Sequence, residues 1–397
     1  MPTKSFHTMK HIYFILIAIL CYSSLNITFA QEHNPFYQNI VNNIDLELLD
    51  THLQTHEDFG SKDPGTQALI NSFEWLKATY EDWGYTDITV DTFYYAGHEC
   101  YNLIVTKTGT HYPDDYLIID GHYDTRNGPG ANDNGTGTVI VLECARSLKD
   151  ISTEYSVRFI HFSAEEVGLV GSRHYVDHVV VPEEHQIKLV FNIDAVGGVS
   201  GMVNNTIVCE QDESYPHDND LASSQYTDSL SILMEMYAEL ETEISYAYST
   251  DYIPFMEEGY VITGLYEYNE TPYAHGPNDL ISNLDLTYVH EVCKGSVAAA
   301  LHFSSAYNNT GIEEHNYLDL IAVYPNPASD ILHIQISETD KINHLRVINQ
   351  QGQTVMENTL GLDSQINISA LPRGMYFLVF NADTANPLVK KLSIIGS

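Results

Sequence analysis

Apolar side chains recur at three- and four-residue spacing in the first part of the chain, where Leu69, Ile70, Phe73, Leu76 and Tyr80 form a stripe within a helical pattern running from Leu46 to Tyr85. That period predicts helix, stopped at Trp83-Gly84-Tyr85. The pattern then tightens into short apolar runs at Asn102 to Thr106, Tyr116 to Asp120, Val157 to Phe162, Leu189 to Ile193 and Val261 to Tyr266, which predict buried strands. Helical spacing returns between them, at Thr138 to Leu148, Gly171 to His178, Asp228 to Leu240 and Leu286 to Ala300. Strands alternating with helices predict an α/β fold, a three-layer sandwich around a mixed, mostly parallel sheet. In such sheets a site gathers at the carboxyl ends of the strands. After Tyr307 the rhythm changes: Asn308 to Gly311 reads as linker, and from Ala322 short alternating strands broken by Asn-Pro, Gln-Gly and Pro-Arg-Gly turns predict a small β-sandwich.

The start of the chain is different again. Lys4 and Lys10 precede an apolar stretch from Ile12 to Tyr22, and Thr28-Phe29-Ala30 ends in a small residue, the arrangement of a secretory signal peptide over residues 1–30. The apolar stretch is about half the ~20 residues that a membrane-spanning helix needs. Cys21 follows Leu20, where an acylation site would want a small residue. Beyond the leader stand Cys100, Cys144, Cys209 and Cys293, an even number that permits up to two disulfides and equally permits buried thiols. Without a C-x-x-C pair, cysteine-ligated zinc is disfavoured. The expected boundaries are a leader at 1–30, a catalytic domain at 31–307, a linker at 308–318 and a β-sandwich tail at 319–397.

Composition narrows the function. The 17 basic and 54 acidic side chains of the 397 residues leave a formal charge of −37, and 28 tyrosines are far more than a disordered acidic chain carries. The small excesses in the leader and the tail cancel, so the whole negative charge lies on residues 31–318. Nucleic acid is thereby excluded as a partner.

Ligand-type residues follow the apolar runs repeatedly. Strand Leu117 to Asp120 enters Gly121-His122-Tyr123-Asp124; a glycine-rich turn from Pro129 to Gly137 delivers Asp133 ahead of a helix; Arg158 to Phe162 empties into Ala164-Glu165-Glu166; Leu189 to Ile193 ends in Asp194; Val261 to Glu267 leads to His275. Any one segment alone reads better as an ordinary Asx-turn or solvated acidic loop. Their recurrence at equivalent topological positions gives His122, Asp133, Glu166, Asp194 and His275, two imidazoles and three carboxylates suited to two zinc ions sharing a carboxylate. No H-E-x-x-H, G-x-S-x-G or P-loop occurs.

On these motifs the chain resembles the co-catalytic di-zinc aminopeptidases, metallopeptidase family twenty-eight of clan MH, over about residues 40–305. The resembling residues are Gly121-His122-Tyr123-Asp124, Gly130 to Gly137, Ala164 to Ser172, Asn192-Ile193-Asp194 and His275. The resemblance implies the zinc exopeptidase fold and two zinc ions per catalytic domain. It places His122 and Asp194 on one ion, Glu166 and His275 on the other, and Asp133 between them. Glu165 would move a proton between a bridging water and the leaving amine, Asp124 would orient His122, and the Asp133–Asn134 peptide would be cis. Peptides are the implied substrates, cut at the N-terminal bond.

One departure stands out. Where the family often has Ser-Asp-His, this chain has Thr250-Asp251-Tyr252, which leaves pocket shape open. Tyr248, Tyr252, Phe255, Tyr266 and Tyr268 are the expected wall of a pocket for apolar or aromatic N-terminal residues, with core packing as the alternative for each. A glutaminyl cyclase-like acyltransferase, a carboxypeptidase and a catalytically silent binding domain remain alternatives on the same scaffold. Short connections leave no room for a lid insert, which predicts a monomer.

The tail, from Val323-Tyr324-Pro325-Asn326-Pro327 through Leu371-Pro372-Arg373-Gly374 to Lys390-Lys391, resembles the C-terminal sorting domain of type nine (Por) secretion cargo, an Ig-like β-sandwich. By that resemblance the outer-membrane secretion machinery is a partner, and the protein is exported through the periplasm and outer membrane to the cell surface or medium.

Overall fold

The computed structural model describes residues 33–212 and 219–308, and in the tail 321–326, 328–336, 344–349, 353–361, 363–380 and 388–394. The leader at 1–30 and nearly all of the linker at 308–318 lie outside the described residues. The chain divides into two compact units between Asn308 and Asn309.

In the first unit the strands are β1 (Ile88–Tyr95), β2 (His98–Lys107), β3 (Tyr112–His122), the two-residue β4 (Ser152–Thr153), β5 (Tyr155–Phe162), β6 (Gln186–Ile193), β7 (Thr206–Gln211), β8 (Glu241–Tyr246), β9 (Ile262–Glu267) and β10 (Ala306–Tyr307). Eight of them form one sheet in the order β1-β2-β5-β3-β6-β9-β7-β8. The central four, β5, β3, β6 and β9, run parallel, while β1, β2 and β7 join antiparallel. Strands β1, β7 and β8 are absent from the sequence reading. β1 and β8 are largely exposed edge strands, so no continuous apolar run marks them.

The side-chain period of two divides β3 between two cores. Leu117 and Ile119 enter the larger one, under the helices Pro35–Val41, Leu46–Asp58, Gln67–Asp82, Gly137–Leu148, Asp220–Tyr237 and Leu286–Phe303. Ile118 enters the smaller one, with Phe162, Tyr175, Val176, Tyr252 and Phe255 beneath the segments Val170–Val180 and Ile253–Glu257. Both sheet faces are covered, which gives three layers and explains why the central strands read as unbroken apolar runs.

The helical pattern from Leu46 to Tyr85 is two helices. Gly60 and Gly65 take φ of 76° and 89°, and Thr66 caps the second helix with its hydroxyl on the Leu69 amide at 3.2 Å. Such a cap contributes about 1 kcal/mol. Cys100, Cys144, Cys209 and Cys293 are buried free thiols.

The second unit carries β11 (Ile321–Tyr324), β12 (Ile331–Ile336), β13 (His344–Asn349), β14 (Thr354–Thr359), β15 (Asp363–Asn367), β16 (Gly374–Phe380) and β17 (Leu388–Ile394). They form sheets β11-β12-β15 and β14-β13-β16-β17, all pairs antiparallel. Leu332, Ile334 and Ile336 of the first share a core with Leu345, Val347, Leu378, Phe380 and Leu392 of the second, a small β-sandwich.

Candidate metal centre

Because β5, β3, β6 and β9 point the same way, their carboxyl ends meet. His122 is the last residue of β3, Glu165 and Glu166 follow β5, Asp194 follows β6, and the loop beyond β9 returns His275. Asp133 arrives on the glycine-rich turn. There Gly130 has φ 60°, and a Cβ on it would stand 2.2 Å from Thr125 Cγ2, so only glycine fits. The Asp133–Asn134 peptide is cis, as the resemblance implied.

Two triads result, His122–Asp133–Asp194 and Asp133–Glu166–His275, each with its ligand atoms within 4.8 Å of one another. Asp133 belongs to both through different oxygens: Oδ1 lies 3.3 Å from His122 Nε2, and Oδ2 3.1 Å from His275 Nε2. Asp194 Oδ1 is 3.4 Å from His122 Nε2, and Glu166 Oε2 is 3.0 Å from His275 Nε2. The His122 side chain is 1% exposed and that of His275 51%, so the centre has a deep end and an open end.

The electrostatics call for cations. Burial opposes charging His122, yet Asp194, Glu165, Asp124 and Asp133 hold its pKa well above the imidazole range. Burial pushes Glu166 up to about 8, with Asp133 adding and His122 and His275 opposing. It also pushes Glu165 well above the carboxylate range, against the pull of His122. Asp133 goes the other way: burial works to raise it, but hydrogen bonds to His122 and His275 prevail. Glu166 Oε1 is buried without a hydrogen-bond partner among the described residues. An unpaired buried oxygen, a shared carboxylate and mixed imidazole and carboxylate donors fit a pair of borderline divalent ions.

The surroundings are partly as the sequence suggests. Asp124 does hold His122, but through its backbone carbonyl, 3.1 Å from Nδ1, while its carboxylate oxygens are 3.7 Å from that nitrogen or farther and accept instead from the amides of Glu165 and Glu166, at 3.1 and 3.3 Å. The reason is the chain path, which brings the turn after β5 directly over Asp124. Thr250, unassigned in the sequence reading, donates to Asp194 Oδ2 at 2.6 Å. Asp279 accepts from the amides of Asn132 and Asp133 at 2.8 and 3.0 Å, and so holds the turn that carries Asp133. Its signal was the His275-Gly276-Pro277-Asn278-Asp279 run.

Of the expected pocket wall, Tyr248 borders the centre, with its hydroxyl 3.4 Å from Asp194 Oδ2 and its ring 4.9 Å from that of Tyr266. Tyr266 is partly exposed and Tyr268 is 51% exposed. Tyr252 and Phe255 are core residues instead. Tyr252 is fully buried, donating to Glu210 Oε2 at 2.7 Å and accepting from the Tyr248 amide at 2.8 Å. Phe255 packs among Phe162, Tyr175 and Tyr260.

Residues 102–300, half of the chain, match peptidase family M28, and residues 322–395 match the secretion system C-terminal sorting domain. Aminopeptidase YwaD of Bacillus subtilis is 36% identical over 176 residues, which cover 43% of this chain and 37% of that protein. Most of that relative's length therefore has no counterpart in the match. The LapA aminopeptidase of Legionella pneumophila superposes with a TM-score of 0.60 at 22% identity, covering 70% of this chain and 76% of that one. A Bacteroides thetaiotaomicron glutaminyl cyclase superposes at 0.54 and 17% identity, over 64% and 97% of the two chains. Both likenesses are of fold alone, and the fold does not choose between the two activities.

Proposed function

The chain belongs to peptidase family M28, and from that premise and the double triad we propose that it is a secreted zinc-dependent exopeptidase hydrolysing the N-terminal bond of peptides. The observation that carries this reading is Asp133, whose two oxygens serve two different triads. His122 and Asp194 would hold one ion and Glu166 and His275 the other. When bound, such ions act as Lewis acids that acidify water and polarise a carbonyl.

Glu165 lies outside both triads, its Oε2 3.9 Å from His122 Nε2, which leaves its carboxylate free for proton transfer. It takes the proton of the attacking water and returns it to the leaving amine. Asp124 fixes the backbone of Glu165 and Glu166, so acid–base group and ligand keep their separation. The exposed side of His275 is the way in for substrate, and its acidic surroundings favour a protonated α-amine. Tyr248 and Tyr266 offer an apolar wall beside Asp194 for an apolar or aromatic first side chain.

The match of the tail to a sorting domain marks the protein for secretion or the cell surface. Residues 1–30 would be removed on entering the periplasm, and residues 319–397 would be read by the outer-membrane machinery, past the linker at 308–318. No helix of the described residues is long and apolar enough to cross a membrane. The catalytic unit, residues 31–307, would act as a monomer.

The test compares leucyl anilide with its N-acetylated twin, each with chelator and with zinc restored. Zinc-dependent cleavage of the free-amine substrate alone is the expected result. Cyclisation of an N-terminal glutamine without hydrolysis of either anilide would overturn the reading in favour of a cyclase.

A further inference from the structure

One buried carboxylate has no part in the proposed hydrolysis. Glu267 ends β9 and is 1% exposed, and its charge is met by N–H donors rather than by a cation. Oε1 accepts from Asn132 Nδ2 at 2.9 Å and from the Thr271 amide at 2.6 Å, and Oε2 accepts from the Gly198 amide at 2.6 Å. The Asn132 side chain extends the network, its Oδ1 accepting from the Gly197 amide at 2.7 Å. Carboxylate oxygens only accept, so an ionised Glu267 matches all three donors through charge-assisted bonds. A glutamine would turn an NH2 toward one of them.

The three donors lie on three different loops. Asn132 precedes Asp133 on the glycine-rich turn, Gly198 follows Asp194 on the chain leaving β6, and Thr271 precedes His275 on the loop beyond β9. Asp133, Asp194 and His275 are three of the five residues that form the two triads. The loops approach closely here, since a Cβ on Gly197 would stand 2.5 Å from Asn132 Oδ1. One carboxylate thus fixes the mutual distances of the segments that carry those ligands. Burial pushes Glu267 up to about 7, and the hydrogen bonds from Thr271, Asn132 and Gly198 oppose it.

We propose that Glu267 is a positioning residue of the metal centre, the common anchor of the loops that bear Asp133, Asp194 and His275. Its ionised carboxylate sets the spacing of the two triads, which rests on the reading of those triads as a metal pair. Asp279 holds the glycine-rich turn by itself, through the Asn132 and Asp133 amides. Glu267 links that turn to the other two arms. It belongs to neither triad and acts through backbone amides and the Asn132 side chain.

The experiment loads the full chain with Co2+ above pH 7 and records visible absorption beside anilide kinetics for Glu267→Gln, Asn132→Asp and the two combined. Glu267→Gln is expected to lower kcat about 10–100-fold with KM nearly unchanged, and to shift the cobalt bands as the ligands move. Asn132→Asp sets carboxylate against carboxylate and is expected to lose as much. The combination again faces one donor with one acceptor and leaves the Gly197 amide its acceptor. It is expected to recover about tenfold in kcat over Asn132→Asp, with the bands moving back. Lost packing would not be undone by reversing the polarity of one hydrogen bond. Thr271→Pro removes one donor on a partly exposed loop without touching the interior, and is expected to shift the bands even if Glu267→Gln does not fold. Cobalt bands report ligand geometry whether or not an anilide is the right substrate, which separates failure here from failure of the proposed function. Unchanged bands in Glu267→Gln or Thr271→Pro, or a combination no better than Asn132→Asp, would overturn the proposal.

Discussion

At the residue scale the centre divides into groups that hold charge and groups that hold those groups. Glu165 holds none of the triads together, so Glu165→Gln is expected to keep the full metal content while turnover falls by orders of magnitude. Metal analysis beside anilide kinetics checks this, and near-normal turnover would remove Glu165 from its role. Thr250 acts at one remove, through its 2.6 Å hydrogen bond to Asp194 Oδ2. Thr250→Val keeps the shape and removes the donor, and is expected to weaken metal retention about 10–100-fold in chelator competition. Asp133 and His122 were legible from spacing; Thr250 was not, since a hydroxyl in a loop has no period to betray it.

At the element scale the strand ends carry the strain. Ala164 before Glu165, Ala195 after Asp194 and His275 itself have φ of 59°, 48° and 57°. Left-handed backbone at a residue with a Cβ costs of order 1–3 kcal/mol, and here it recurs where the chain must turn sharply to aim a side chain inward. The loop bearing Tyr248 and Thr250 is tied down from beneath by Tyr252 and Glu210, so the departure at Tyr252 is a change of support rather than of pocket. Burial pushes Glu210 up to about 8 from an ordinary 4.5, with the Tyr252 hydrogen bond opposing and Asp194 adding. The folded chain therefore keeps a proton that the unfolded chain releases, so this contribution to stability is full below about pH 4.5 and is lost as pH rises to about 8. Glu210→Gln is expected to flatten the fall in stability across that window in urea titrations; an unchanged slope would show that Glu210 ionises normally in the fold.

At the scale of the whole molecule, two units carry two separate jobs. Chelation would remove the metal that this crowded set of carboxylates is proposed to hold. An ion held at about 100 times its dissociation constant stabilises by about 2.7 kcal/mol, so melting is expected to fall by about 5–10 °C and to recover with zinc. The export role belongs to the tail: deletion of residues 319–397 is expected to leave active enzyme inside the cell, and undiminished export would make the tail a binding module instead.

The strands of the central sheet, the order of the ligands along the chain and the tail sandwich could be read from the sequence, because buried parallel strands and alternating β-strands leave periods that local side-chain chemistry sets. Edge strands β1 and β8 left none, since an exposed strand buries too little to need apolar residues. Only the tertiary structure decided that Tyr252 and Phe255 pack in the core and that the Asp124 carboxylate serves the Glu165 and Glu166 amides. It likewise decided that Asp279 supports Asp133 from 146 residues away. These outcomes depend on which segments meet across the sheet, and contact between distant segments is fixed by packing and hydrogen-bond satisfaction rather than by any local pattern.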